Sequence, residues 1–434
     1  MNTGQPPQRL RTRTMPTVGV VLGVFVLVSV LVTTFVAATT NDGASSPEGA
    51  VRAIFDAISQ RNLIGVVEAL PPGERRAIAA SLPALVEQLR RIGFVDDVPL
   101  DDIGGSVAVE GLTLTRREFS GEVVRVDVTG GMFRVAWSQS SEPISPMGRR
   151  VLADLGLDVF APGEEFVANF ADDPLHLMTI KEGGGWHVSL SYTIAESLRR
   201  RVGAPEPWWG RGPAAIGADT AEDSVRDLFG AAAKPDPGRA QSIAYPEELP
   251  AFYDYAPLFL ADMRRVALET YQEGQFSFAF SELVLESDRG GHERTIRVKR
   301  FDGTFGDSVE RIRVRYDAGC ATFELRRVTG QLDARGNAVD QVQVERRCDG
   351  DISPLSDRVR GSKWYRLISW TQLGKLFPTF VVRERDGRWF VSPIRTALVS
   401  LTEALGQLPP DAGPDFADRL AEVSRAYRSE DAAP

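Results

Sequence analysis

The chain has 434 residues, more than one ordinary hydrophobic core organises, so two domains are the starting expectation. Hydrophobic residues make up 43% and charged residues 25%, an ordinary globular balance. The formal net charge of -9 argues against nucleic acid or an anionic lipid surface as a partner.

Residues 1–14 are polar and contain proline, and they read as a disordered cytoplasmic tail. Thr17 to Thr40 carries no charge, and Val18 to Val36 is apolar apart from small Gly, Ser and Thr. About 20 such residues cross a hydrocarbon core roughly 30 Å thick, so 15–40 is expected to be a transmembrane helix. Arg9, Arg11 and Arg13 precede it and only Asp42 follows closely. That asymmetry predicts a single-pass cell-membrane protein with its N-terminus cytoplasmic and its bulk extracytoplasmic. Val36-Ala37-Ala38 is the one small-residue site where the segment could be cleaved.

Beyond the segment, an internal repeat organises the chain. Ser45-Ser46-Pro47-Glu48 through Phe55 matches Asp219-Thr220-Ala221-Glu222 through Phe229, an offset of 174. Both stretches read as a capping box, Ser45 with Glu48 and Asp219 with Glu222, opening a helix with one buried stripe. The offset persists at Pro72 and Pro246, at Glu74 and Glu248, and from Pro83 to Ile92 against Pro257 to Val266, including Arg90-Arg91 and Arg264-Arg265. The ends also correspond: Gly185-Trp186-His187-Val188-Ser189 resembles Arg388-Trp389-Phe390-Val391-Ser392, at an offset of 203. A helix is expected after each, over 194–201 and 394–405.

The middle of each copy alternates with period two, as half-buried strands do. In the first copy these are Leu112 to Thr115, Val124 to Val128 and Phe133 to Trp137. In the second they are Phe276 to Phe280, Thr295 to Val298, Ile312 to Tyr316 and Val342 to Val344. Thr129-Gly130-Gly131 reads as a turn, and Asp317-Ala318-Gly319 as a three-residue hairpin loop. The expected domains are 45–202, a linker over 203–218, 219–408 with an insertion, and a tail over 409–434. Trp208 and Trp209 in the linker are either packed against a neighbouring domain or a partner-binding patch.

Helix, helix, then an antiparallel sheet closed by a Trp-x-Val-Ser strand resembles the NTF2-like (cystatin-like) superfamily, carried by Pro47 to Phe55 with Gly185 to Ser189 and by Ala221 to Phe229 with Gly387 to Ser392. The chain looks most like membrane-tethered members from Gram-positive bacteria, and its arginine-rich, lysine-poor usage fits GC-rich coding. The resemblance implies an α+β fold: a transmembrane helix followed by two cones, each with helices packed on a curved antiparallel sheet. The superfamily holds both enzymes and binding modules, so the fold does not choose between them.

Asp254 between Tyr253 and Tyr255 has the residue types of an isomerase site, yet helical neighbours point in different directions. Gly306-Asp307-Ser308 and Asp173-Pro174-Leu175-His176 echo lipase blocks in reversed order. His176, His187 and His292 have no partner at ligand spacing, so neither a metal nor another cofactor is expected. Gly183-Gly184-Gly185 reads as a turn before a strand. Cys320 and Cys348 flank a turn at 332–337, and outside the cytoplasm they favour a disulfide. Pairing Phe323 with Val344 and Leu325 with Val342, as the apolar alternation predicts, puts the two cysteines one residue out of register.

These readings converge on a membrane-anchored, extracytoplasmic interaction or scaffold protein, without catalysis, whose partner is a membrane or cell-wall protein. The alternatives are a binder or sensor of a small apolar or cell-wall-derived ligand, and an isomerase-like enzyme.

Overall fold

The computed structural model describes residues 42–60, 62–96, 105–137, 144–154, 165–207, 209–272, 276–288, 290–332 and 338–428. By their contacts these divide into two compact units. One holds the described residues up to Arg75 together with Val95–Val202; the other holds Arg76–Phe94 together with Gly203 onward.

In the first unit, α1 (Pro47–Ser59), α2 (Leu63–Glu68) and the first turn of α3 (Pro72–Ala79), up to Arg75, precede β1 (Gly105–Glu118) and β2 (Val123–Trp137). Then follow α5 (Pro146–Asp154), β3 (Glu165–Asn169), β4 (Leu175–Glu182), β5 (Gly185–Ser189) and α6 (Leu190–Arg201); α4 (Leu82–Arg91) belongs to the other unit. The strands form an antiparallel sheet in the order β1-β2-β4-β5, with β3 also on β2. Val124, Val126 and Val128 alternate onto one face, where they bury Ala50, Val51 and Phe55 of α1. The residues between them point to the opposite face, beneath α6.

The expected turn at Thr129-Gly130-Gly131 is absent: β2 runs through it as one bent strand. The register with β1 slips between Glu110 and Thr113. Gly131 has φ +106, and a Cβ there would lie 2.7 Å from the Glu110 carbonyl oxygen, so only glycine lets the backbones close at this bulge. Before the bend β2 pairs with β4 and after it with β3.

The second unit opens with α7 (Ala221–Ala233), α8 (Pro237–Ser242) and α9 (Pro250–Gln272), then β6 (Ser277–Ser287), β7 (Glu293–Gly306), β8 (Glu310–Asp317), β9 (Cys320–Leu332) and β10 (Ala338–Cys348). Next come α10 (Asp357–Arg360), α11 (Tyr365–Ser369), β11 (Phe380–Arg385), β12 (Arg388–Val391), α12 (Pro393–Gln407) and α13 (Gly413–Arg428). The sheet order is β10-β9-β8-β7-β11-β12, with β6 also on β7. Strand β7, like β2, serves one neighbour before its bend (β11) and another after it (β8).

Corresponding backbone bonds recur at the two offsets. Ala44 and Trp186 exchange hydrogen bonds of 2.9 and 2.8 Å, as do Ala218 and Trp389. Val188 N donates to Ala69 O, and Val391 N to Ile243 O. Helices α1 and α7 are capped by Ser46 and Thr220, each one residue later than the capping boxes expected at Ser45 and Asp219. In both cases the cap residue is the last one in extended backbone, which is where a side-chain oxygen reaches the first free N–H groups.

The expected fold class needs one correction. Among the described residues no helix is long and apolar enough to cross a membrane. The longest, α9, carries Asp254, Asp262, Arg264, Arg265 and Glu269 along its length. The expected span, 15–40, lies outside the described residues. The observed class is α+β with antiparallel sheets.

The hairpin β9–β10 corrects the expected register. Cys320 faces Cys348 and the two form a disulfide, while Phe323 faces Glu345 and Leu325 faces Gln343. Phe323 and Leu325 are buried, whereas Val342 and Val344 are 49% and 57% exposed on the other face. Apolar alternation misled here because the two strands turn their apolar residues to opposite faces. The turn entering β9 is two residues, Ala318 and Gly319, both at positive φ, rather than the three expected.

The disulfide closes a loop of 28 residues' separation. Chain entropy then predicts that Cys320→Ser with Cys348→Ser costs about 3–4 kcal/mol. Guanidinium unfolding of the two forms checks this; an unchanged midpoint refutes it.

Candidate functional site

Among the described residues, the most deeply buried acids stand at equivalent places. Glu74 is 1% exposed and Glu248 is fully buried. Glu74 lies on α3 and reaches the corner where β5 becomes α6. Its Oε1 accepts hydrogen bonds from Ser189 Oγ at 2.7 Å, Ser191 Oγ at 2.6 Å and Ser191 N at 3.1 Å, and its Oε2 from Leu190 N at 2.8 Å. Ser189 is itself the N-cap of α6, accepting from Tyr192 N. Free N–H groups and the positive end of the helix dipole meet at such a terminus, so a carboxylate fits there.

Glu248 occupies the same corner between β12 and α12. It accepts from Ser392 Oγ and the backbone of Ile394. Pro393 stands where the first unit has Leu190, and proline has no N–H to give. Oε2 of Glu248 is accordingly without a hydrogen-bond partner, and the Arg383 guanidinium lies 3.9 Å from Oε1. Burial pushes both acids above the usual carboxylate range, against the pull of these donors. Sealed from solvent, the carboxyl oxygens hold a backbone corner and offer a substrate no approach.

A second polar layer lies between each sheet and the helix that follows its last strand. In the first unit Arg125 reaches Asp127 through two bonds, at 2.8 and 3.0 Å, and Glu196 at 3.3 Å; Glu196 in turn pairs with Arg199 at 2.7 Å. His176 Nδ1 lies 2.6 Å from Asp127. Burial opposes ionisation of Asp127, yet the bonds from His176 and Arg125 hold its carboxyl below the ordinary range. In the second unit Glu403 receives Lys375 at 2.6 Å, Arg297 at 2.9 Å and Thr379. Burial again opposes ionisation, and these donors bring Glu403 down to about 2. The layers fasten a helix to a sheet and carry ion pairs rather than an exposed nucleophile.

The sequence-marked residues fall as follows. His176 meets Asp127 rather than Asp173. Asp307 accepts from Val309 N, Glu310 N and Lys363 in a tight loop, far from the roles its lipase-like block would need. Tyr253 donates to the carbonyls of Gln241 and Ala244, Asp254 accepts from Gly210 N, and Tyr255 packs edge-on against Trp209 at 5.4 Å, so the three diverge. Trp208 lies outside the described residues. His292 is exposed and 2.9 Å from Glu384. Among the described residues no cluster of three His, Cys, Asp or Glu side chains is placed to hold a metal ion.

His187 sits in a slot against Gly43, whose Cα has no room for a side chain: a Cβ would lie 2.7 Å from the imidazole. In the second unit Phe390 fills the same slot against Gly217. Burial keeps His187 below the ordinary histidine range, and its Nδ1 has no hydrogen-bond partner. Comparison with protein-family models, with curated proteins and with solved structures finds no match to this chain.

Two outcomes are expected. Glu74→Gln, which turns an amide N–H toward existing donors, should cost about 2–4 kcal/mol, and Glu248→Gln about 1, because fewer donors face it. Both acids titrate higher folded than unfolded, so their contribution is full below the unfolded carboxylate range and is lost as pH rises through the folded value. Denaturant midpoints from pH 4 to 8 should therefore slope less for Glu74→Gln than for the parent. His187→Phe should be neutral to within about 1 kcal/mol, since it removes the unpaired Nδ1 from a slot built for a ring but also loses the imidazole's hydrogen bond to the Glu182 backbone; strong destabilisation would refute that.

Proposed function

We propose that the chain is an interaction or scaffold protein acting outside the reducing cytoplasm, and that it presents the outer face of β9–β10 to a membrane or cell-wall protein. The observation that carries this reading is the pair Val342 and Val344, both about half exposed on an edge strand. Edge strands are usually blunted by charge or proline, and exposed β-branched residues on one invite an added strand. The disulfide at the base of the hairpin supports the compartment, since such bonds persist where thiols are oxidised. NTF2-like kinship belongs to the same proposal, supported by the shared order of helices followed by an antiparallel sheet.

One observation favours a second reading. Phe229, Phe278, Phe280 and Phe377 are only partly buried around Phe301, with ring centroids 5.2–6.5 Å apart. Such a cluster suits a small apolar ligand.

A photoreactive residue at position 344 of the full chain should crosslink one envelope protein, and the same residue at Arg52 should not. Val342→Glu with Val344→Glu should weaken capture about tenfold while leaving the circular dichroism unchanged. Equal labelling from both positions, or full capture by the double variant, would refute the hairpin as the binding face and leave the apolar-ligand reading.

A further inference from the structure

The corner at Glu248 carries charges that its counterpart at Glu74 does without. Beside Glu248, Arg383 of β11 stands opposite Glu293 of β7 on one side and Phe390 of β12 on the other. In the first unit Ile180 of β4 holds the same place, opposite Val123 of β2 and His187 of β5. Arg395 lies three residues after the cap Ser392, as Tyr192 lies three after the cap Ser189. Val123, Ile180 and Tyr192 are all buried. Two aliphatic side chains and a tyrosine thus suffice beside one buried glutamate, while two guanidinia and a carboxylate stand beside the other.

Those charges are incompletely matched. Arg383 and Arg395 both turn to a single oxygen of Glu293, Oε2, Arg383 through Nε at 3.5 Å and Arg395 through Nη1. Arg383 Nη1 stops 3.9 Å short of Glu248 Oε1, and both it and Arg395 Nε are buried without a hydrogen-bond partner. Unmet donors are costly, and buried ion pairs are often no more stable than apolar residues of similar volume, so stability does not account for the trio. The Arg383 guanidinium lies 4.5 Å from the Tyr245 ring centroid, a contact that fixes it in advance of any ligand. Glu293 is the movable member: its side chain is 37% exposed, those of Arg383 and Arg395 19% and 17%.

We propose that Arg383 and Arg395 bind a phosphate group, which takes the place of the Glu293 carboxylate between them. Glu293 offers both guanidinia one oxygen, whereas a phosphoryl group offers at least three and carries the charge that two arginines call for. Ion pairs of partly exposed side chains are weak, so Glu293 swings aside at little cost. Glu248 stays sealed behind Arg383 and does not touch the ligand. The ligand is inorganic phosphate or a small phosphomonoester, and the corresponding place in the first unit, lacking both arginines, takes neither. This proposal is independent of the hairpin reading above.

The test is calorimetric titration of the full chain with inorganic phosphate and, separately, with glycerol 3-phosphate at constant ionic strength. Saturable binding is expected. Tighter binding of one probe tells whether the phosphate is free or esterified, and equal affinity means that the phosphoryl group alone is read. Glu293→Gln, which removes the competing charge and keeps the shape, should tighten binding about tenfold. Arg383→Ile and Arg395→Tyr, each taking the side chain found at that place in the first unit, should each weaken it about tenfold with the thermal melt little changed. The proposal falls if neither probe binds the parent or the Glu293→Gln chain. It falls equally if Glu293→Gln leaves the affinity as it was, or if a folded Arg383→Ile chain binds like the parent, because a trio with only a structural role would move the melt and not the titration.

Discussion

A carboxylate buried beneath the first turn of a helix is the constraint on which both units turn. The last strand must leave the sheet, reverse and become a helix within two or three residues. That corner strands several backbone N–H groups away from water, each costly to leave unmet. Glu74 meets them from a different element, so it ties α3 to the β5–α6 corner across 115 residues of chain. The sheet pairings beside the corner, Trp186 with Ala44 and Val188 with Ala69, depend on the same strand being held in place. The second unit keeps the arrangement with fewer donors. Pro393 presets the helical φ of its first turn but removes one N–H, and Arg383 comes near in partial compensation.

Helix phase, terminal strands and the position of the extra residues were legible because each leaves a periodic or aligned trace. The buried glutamates were visible only as matched letters, Glu74 with Glu248. A matching Ser189 and Ser392 lay in the aligned strand ends, and coupling the two pairs was the signal that could have found the corner. What escaped has a common cause. Bends such as that at Gly131 look like turns, because glycine marks any departure from ordinary backbone, and only the partner strand says which. The register of β9 against β10 escaped because Val342 and Val344 are apolar and yet face outward. Alternation reports which residues share a face, never which face is covered. The ion-pair layers of Asp127 and Glu403 depend on side chains from three separate elements meeting, and no local pattern encodes that.

The bend in β7 has a consequence for how such a sheet can change. Up to the bend, its neighbour β11, and β12 beyond it, are locked to the helix corner. After the bend its neighbour is β8, and beyond β8 the sheet simply continues into β9 and β10. In the first unit the same arm stops at β3. Residues can therefore be gained on that arm without disturbing a single hydrogen bond of the locked half. The fold behaves as a fixed hinge plate with an extensible leaf, and the cystine across the outermost hairpin is a rivet at the leaf's newest edge.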